Sequence, residues 1–139
     1  MVNTYNFTLT IKINSMFLQL NHQKLKAFKS SRLFVLECYR LSKLLPPEEK
    51  FGMITQIRRA ALSVYLNIAE GASRKSEAER KRYYEIARGS LIEIDAALDI
   101  ANDMKYLEKI ALCSLENYMI ECFKMLTGMI ASKEKIKNF

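Results

Sequence analysis

Between residues 54 and 68 the apolar side chains Ile54, Ile57, Ala61, Val64 and Ile68 fall at spacings of three, four, three and four. That period belongs to a helix that presents one continuous stripe to a neighbouring helix. The same alternation appears in Phe34, Cys38, Leu41 and Leu45. It returns in Tyr83, Ala87, Ser90, Ile94, Ala97, Ala101 and Met104, and again in Leu112, Leu115, Met119, Cys122, Leu126 and Met129. A chain with four such seams is constrained to helices packed side by side.

The punctuation between the seams sets their ends. The first helix is expected over about 25–45, with Leu33, Leu36 and Leu44 widening its stripe, and Pro46 and Pro47 stop it. The second is expected over about 48–70, opened by Glu48 and Glu49 and closed by Gly71 in the left-handed conformation. Ser76 and Glu79 form an S-x-x-E capping box for a third helix over about 77–105. Tyr84, Leu91 and Leu98 add a second stripe to this helix, so it must bury more than one face. Gly89 and Ser90 in its middle suggest that another backbone approaches closely there. A break near 106–109 leads to the fourth helix. Short connections between four such helices predict an all-α, antiparallel up-down-up-down four-helix bundle.

Composition agrees. Half of the 139 residues are hydrophobic, which suffices for a core, and there are only four Gly and two Pro. Three parts are expected: a divergent extension over 1–20, the bundle over 21–134 and a basic tail over 135–139. The extension reads as a short strand, a disordered tail or a misassigned start with Met16 as initiator. Cys38, Cys113 and Cys122 each sit in an apolar stripe without a C-x-x-C pair, which points to buried, reduced thiols and a cytoplasmic protein. There is no 18-residue apolar run and no signal-peptide pattern, so no membrane partner is expected.

The run from Pro46 to Leu107 carries EEKFGM (48–53), QIRRAALSV (56–64), NIAEG (67–71) and ARGSLIEID (87–95). In these motifs and their order the chain resembles the 23S rRNA intervening-sequence proteins, over roughly residues 18–131. The first helix departs from many relatives in having no Trp, which should alter packing and not class. The resemblance implies a small four-helix bundle that assembles into a ring, a pentamer. It also implies a link to nucleic acid, since distant relatives accompany reverse transcriptases. The family name reflects gene location and assigns no chemistry to this chain.

The residues themselves argue against catalysis. His22 is the only His, so a His-based triad would depend on it. The Cys and His clusters of zinc sites and the E-x-x-H pairs of di-iron bundles are missing. GASRKS (71–76) lacks the first Gly of a phosphate loop and follows a helix where a strand is required. No metal, cofactor or small-molecule substrate is expected. Asn67 and Glu70 could be read as a catalytic amide and carboxylate. The structural reading is preferred: together with Gly71, Ser76 and Glu79 they build the corner between the second and third helices, with Arg74 as the partner of Glu70.

Net charge is +7 and unevenly spread. Residues 73–90 hold six basic and three acidic residues, whereas residues 91–139 hold six and eight. Arg74, Lys75, Arg80, Lys81, Arg82 and Arg88 form a basic block, which Arg58 and Arg59 join as candidate nucleic-acid contacts. Asp95, Asp99 and Asp103 line one face of the third helix. Glu77 and Lys81 form a favourable i, i+4 pair. Cations at the start of a helix and anions at its end oppose the dipole. Two explanations follow. Either the basic block meets the acidic stripe and Glu70 of a neighbouring subunit, or it binds the phosphates of RNA or DNA. Tyr83 is expected in the core, and Tyr84 either in the core or stacked on bases. The expected function is a non-enzymatic, homo-oligomeric scaffold or adaptor that contacts nucleic acid without reading sequence. The alternative is a protein–protein interaction module whose charge serves assembly alone.

Overall fold

The computed structural model describes residues 17–18 and 26–132. The remainder of the 1–20 extension, His22 and the residues after 132 lie outside the described residues. Four helices follow in order: α1 (Lys26–Ser42), α2 (Met53–Ser73), α3 (Glu77–Asp103) and α4 (Cys113–Ala131). Among the described residues there is no strand.

Cross-helix contacts fix the topology. Gly71 lies against Tyr84, Ser63 against Ser90 and Gln56 against Glu93, so numbering falls along α2 as it rises along α3. Arg58 reaches Ser42 while Tyr65 stacks on Phe28, at 4.4 Å between ring centroids. Ser30 meets Met125 and Arg40 meets Ala111. Each consecutive pair is therefore antiparallel. α1 packs on α2 and α4, α3 packs on α2 and α4, and the diagonal pairs do not touch. The core along the axis holds Phe34, Cys38, Leu41, Ile57, Val64, Ile68, Leu91, Ile94, Leu115, Cys122 and Leu126, all at most 2% exposed. The expected seams thus point inward.

Several local expectations are corrected. The first helix ends at Ser42, and its stripe is not widened as expected: Leu33 is half-buried, but Leu36 and Leu44 face outward. After Pro46 the chain makes a single 3-10 turn, Pro47–Glu49, and α2 starts only at Met53. Gly52, at φ −111° and ψ −106°, interrupts the spiral, and Glu49 Oε2 accepts the Met53 amide at 3.2 Å. Glu49 thus caps α2 from outside the helix. Gly71 does not close α2 in a left-handed conformation. No described glycine has positive φ, and α2 continues to Ser73 before Arg74 turns extended. Gly71 is needed for space, because a Cβ there would stand 2.8 Å from the Tyr84 ring.

Gly89 does the reverse: a Cβ there would meet nothing within 4 Å, so no neighbouring backbone among the described residues approaches it. The close contact belongs to Ser90, whose hydroxyl donates to Ser63 Oγ at 2.8 Å. Tyr84, not Tyr83, is the core tyrosine, and Met104 is exposed. Cys38 and Cys122 are buried, but Cys113, at the first turn of α4, is exposed.

The α3–α4 connection is pinned at both sides. Lys105 takes φ 62°, and the Tyr106 amide returns to the Ala101 carbonyl at 2.9 Å, closing α3 where Gly or Asn is usual. The Tyr106 hydroxyl donates to Glu49 Oε1 at 3.3 Å, and Arg40 Nη2 donates to the Ala111 carbonyl at 2.8 Å.

Candidate interaction surface

The corner between α2 and α3 is three residues long, Arg74 to Ser76. Ser76 is the N-cap of α3 and accepts the Glu79 amide at 3.3 Å. α2 ends with Arg74 folded back: its Nη2 donates to Glu70 Oε1 and, at 3.0 Å, to the Tyr83 hydroxyl, with the guanidinium 5.0 Å from the Tyr83 ring centroid. The carboxylate of Glu70, set against the α2 dipole, thereby receives a cation. Arg80 returns from α3, and its Nη1 donates to the carbonyls of Arg74 at 2.9 Å and Lys75 at 2.7 Å. A cation on these chain-end carbonyls is what the terminus of α2 needs.

The basic block therefore divides. Arg74 and Arg80 hold the corner. Lys81 pairs with Glu77 at 2.8 Å, as its spacing indicated. Arg58 bonds Ser42 Oγ at 2.8 Å and covers the Tyr39 ring at 5.3 Å, so it joins α2 to α1. Arg88 reaches Thr127 on α4 at 3.4 Å. Lys75 and Arg82 at the corner, and Arg59 on α2, are exposed, and no carboxylate among the described residues pairs with them. The structural duty of Arg80 was hidden in the sequence, because its targets are carbonyls that no residue type announces.

Asn67 sits about two turns before the corner and does not join Glu70. Its amide donates to the Ser63 carbonyl at 2.8 Å and Ser63 Oγ at 3.0 Å, extending the Ser63–Ser90 bond into a polar chain between α2 and α3. An amide that donates inward to Ser63 is a poor partner for the Glu70 carboxylate in catalysis. Asp95, Asp99 and Asp103 are all exposed on α3. Among the described residues no group of three or more His, Cys, Asp or Glu is placed to hold a metal ion. No described helix is long and apolar enough to cross a membrane.

Two outer faces carry apolar side chains, all but Met119 outside the heptad seams. Between α3 and α4 lies a groove of about 280 Å³, walled by Ile92, Met119, Ile120 and Phe123, with Asp95 and Lys124 also lining it. On α2, Leu62 and Leu66 stand outward. Leu62 lies between Ala61 and Ser63 and Leu66 between Tyr65 and Asn67, so only the register of the helix shows that they face outward.

Residues 23–128 match the family model described as 23S rRNA-intervening sequence protein. The chain belongs to this family. A crystal structure of a protein of unknown function from the S23 ribosomal protein family of Bacteroides thetaiotaomicron is similar in fold, with a TM-score of 0.69 and 27% identity over 76% of this chain and 96% of that one. No curated protein matches the chain. The family match contains the whole α2–α3 corner, the acidic stripe and both apolar faces, and begins after the 1–20 extension.

Proposed function

We propose that this family member is a non-enzymatic, self-associating bundle, a ring such as a pentamer, that serves as a cytoplasmic scaffold and contacts RNA or DNA through the α2–α3 corner without reading sequence. One observation carries the nucleic-acid part: Lys75 on the corner and Arg82 on the second turn of α3 remain exposed, with no carboxylate partner among the described residues, beside a turn whose shape Arg74 and Arg80 already secure. Charges that stabilise nothing internally and stand on a rigid turn suit a phosphate backbone, and a ring would repeat them once per subunit. The exposed apolar faces support self-association.

The competing reading, in which positive charge serves assembly alone, draws on the same geometry, because most of the block is consumed within the chain. Fluorescence anisotropy with labelled single-stranded RNA and duplex DNA across a salt series separates them. The nucleic-acid reading expects a linear fall of log affinity with log salt, several counterions deep, and its loss in Lys75→Glu/Arg82→Glu with the oligomer intact. If binding is absent at low salt, or if that variant dissociates, charge belongs to assembly.

A further inference from the structure

Resting on the self-association reading, we infer that the outer ridge of α2 in one copy seats in the α3–α4 groove of a second copy, so that assembly is head-to-tail. The ridge is Arg59, Leu62 and Leu66, spaced three and four and therefore on one stripe; Leu62 and Leu66 are 40% and 58% exposed. The groove offers Ile92, Ile120 and Phe123 at 54%, 44% and 40% exposure. Because α2 and α4 are diagonal in the bundle and do not touch, ridge and groove open on different sides and cannot meet within one chain.

Charge selects the occupant. With Leu62 and Leu66 on Ile120 and Phe123, Arg59 lies one helical step of about 4.5 Å beyond Leu62. There it reaches the α3 wall, where Asp95 lines the groove and Asp99 follows on the next turn, both exposed. Two grooves placed face to face would leave both ridges in water and Arg59 without a carboxylate. Ridge in groove covers both apolar faces at once and pairs opposite charges. An interface of two different patches is heterologous, and its repetition gives a closed ring or a filament. The acidic stripe thereby gains a cationic partner from α2, not from the basic block at the corner.

Complementation tests this. A ridge variant, Leu62→Asp/Leu66→Asp, keeps an intact groove; a groove variant, Ile120→Asp/Phe123→Asp, keeps an intact ridge. Each alone should be monomeric by light scattering, with association weakened about 100-fold or more by the carboxylates it buries. Mixed, they should form a one-to-one dimer and nothing larger. Arg59→Asp should weaken assembly, and Asp95→Arg/Asp99→Arg added to it should restore it. Circular dichroism verifies folding, and Leu66→Ser and Phe123→Ser replace any variant that loses helix. Variants that assemble like the wild type, or a mixture that stays monomeric, overturn the ridge-in-groove assignment while self-association stands. A monomeric wild type at tens of micromolar removes self-association itself.

Discussion

Gly71 on α2 faces Tyr84 on α3 so closely that a Cβ on the glycine would lie 2.8 Å from the ring Cε1 and 2.9 Å from the Cβ of Tyr83. Tyr84 is 7% exposed and cannot swing out without opening the core. Gly71→Ala should therefore cost about 1–3 kcal/mol by overpacking, more than the roughly 1 kcal/mol that Ala gains over Gly in a helix. Gly89→Ala is the control. Its Cβ meets nothing within 4 Å, so the monomeric bundle should become more stable by about 0.5–1 kcal/mol. Urea unfolding of both variants checks the pair, and equal effects would contradict the packing.

Arg80 and Arg82 are two residues apart but differ in duty. Arg80→Ala removes the donors to the Arg74 and Lys75 carbonyls and should lower stability by about 1–3 kcal/mol. Arg82→Ala, on an exposed side chain, should leave stability within about 0.5 kcal/mol and reduce nucleic-acid affinity and its salt slope. Thermal unfolding and anisotropy on the same two proteins give the comparison.

Burial pushes the Cys122 thiol up to about 12 and raises that of Cys38 further, with Cys122 itself adding to the rise at Cys38. The neutral thiol is the folded form. Above the unfolded thiol pKa, near 9, the unfolded chain ionises first and stability falls with pH. The slope is at most about 1.4 kcal/mol per pH unit for each thiol. Burial also raises Tyr84 and Tyr65, which act in the same direction above pH 10. Cys122→Ala should flatten the decline between pH 9 and 11 in urea titrations. At pH 8 a thiol reagent should modify one cysteine of the native protein, Cys113, and the other two only on unfolding.

Glu49 serves two elements, accepting the Met53 amide and the Tyr106 hydroxyl. Glu49→Ala should cost about 1–2 kcal/mol, whereas Tyr106→Phe, which spares the cap, should cost about 0.5–1.5 kcal/mol. A double-mutant cycle measures how far the two contacts share one carboxylate.

The bundle was legible in the sequence because packing enforces the three-four spacing: Ile54, Ile57, Ala61, Val64 and Ile68 all lie inside. What escaped was decided by neighbours in space. Glu49 looked like the first turn of α2, but the dihedrals of Gly52 place it one 3-10 turn outside. Gly71 looked like a helix end, and only the Tyr84 ring shows that its missing side chain is what matters. Tyr83 and Tyr84 are adjacent and stand about 100° apart around α3, so which one is buried depends on the facing of α3 against α2, which the three-four spacing alone leaves open. Charge was the least legible feature. The sequence counts Arg74, Arg80 and Arg82 alike, yet two are committed to the Glu70 carboxylate and to main-chain carbonyls and one stands in water.

The three-residue link at Arg74–Ser76 also bears on the order in which the molecule comes together. α2 and α3 close over a shorter loop than the other adjacent pairs, joined by residues 43–52 and 104–112, so their pairing forfeits less chain freedom. Contacts between residues near in sequence form early and persist late. The hairpin of α2 and α3 should then be the last part to exchange its amide protons with solvent, with α1 and α4 closing onto it as the two flanking walls.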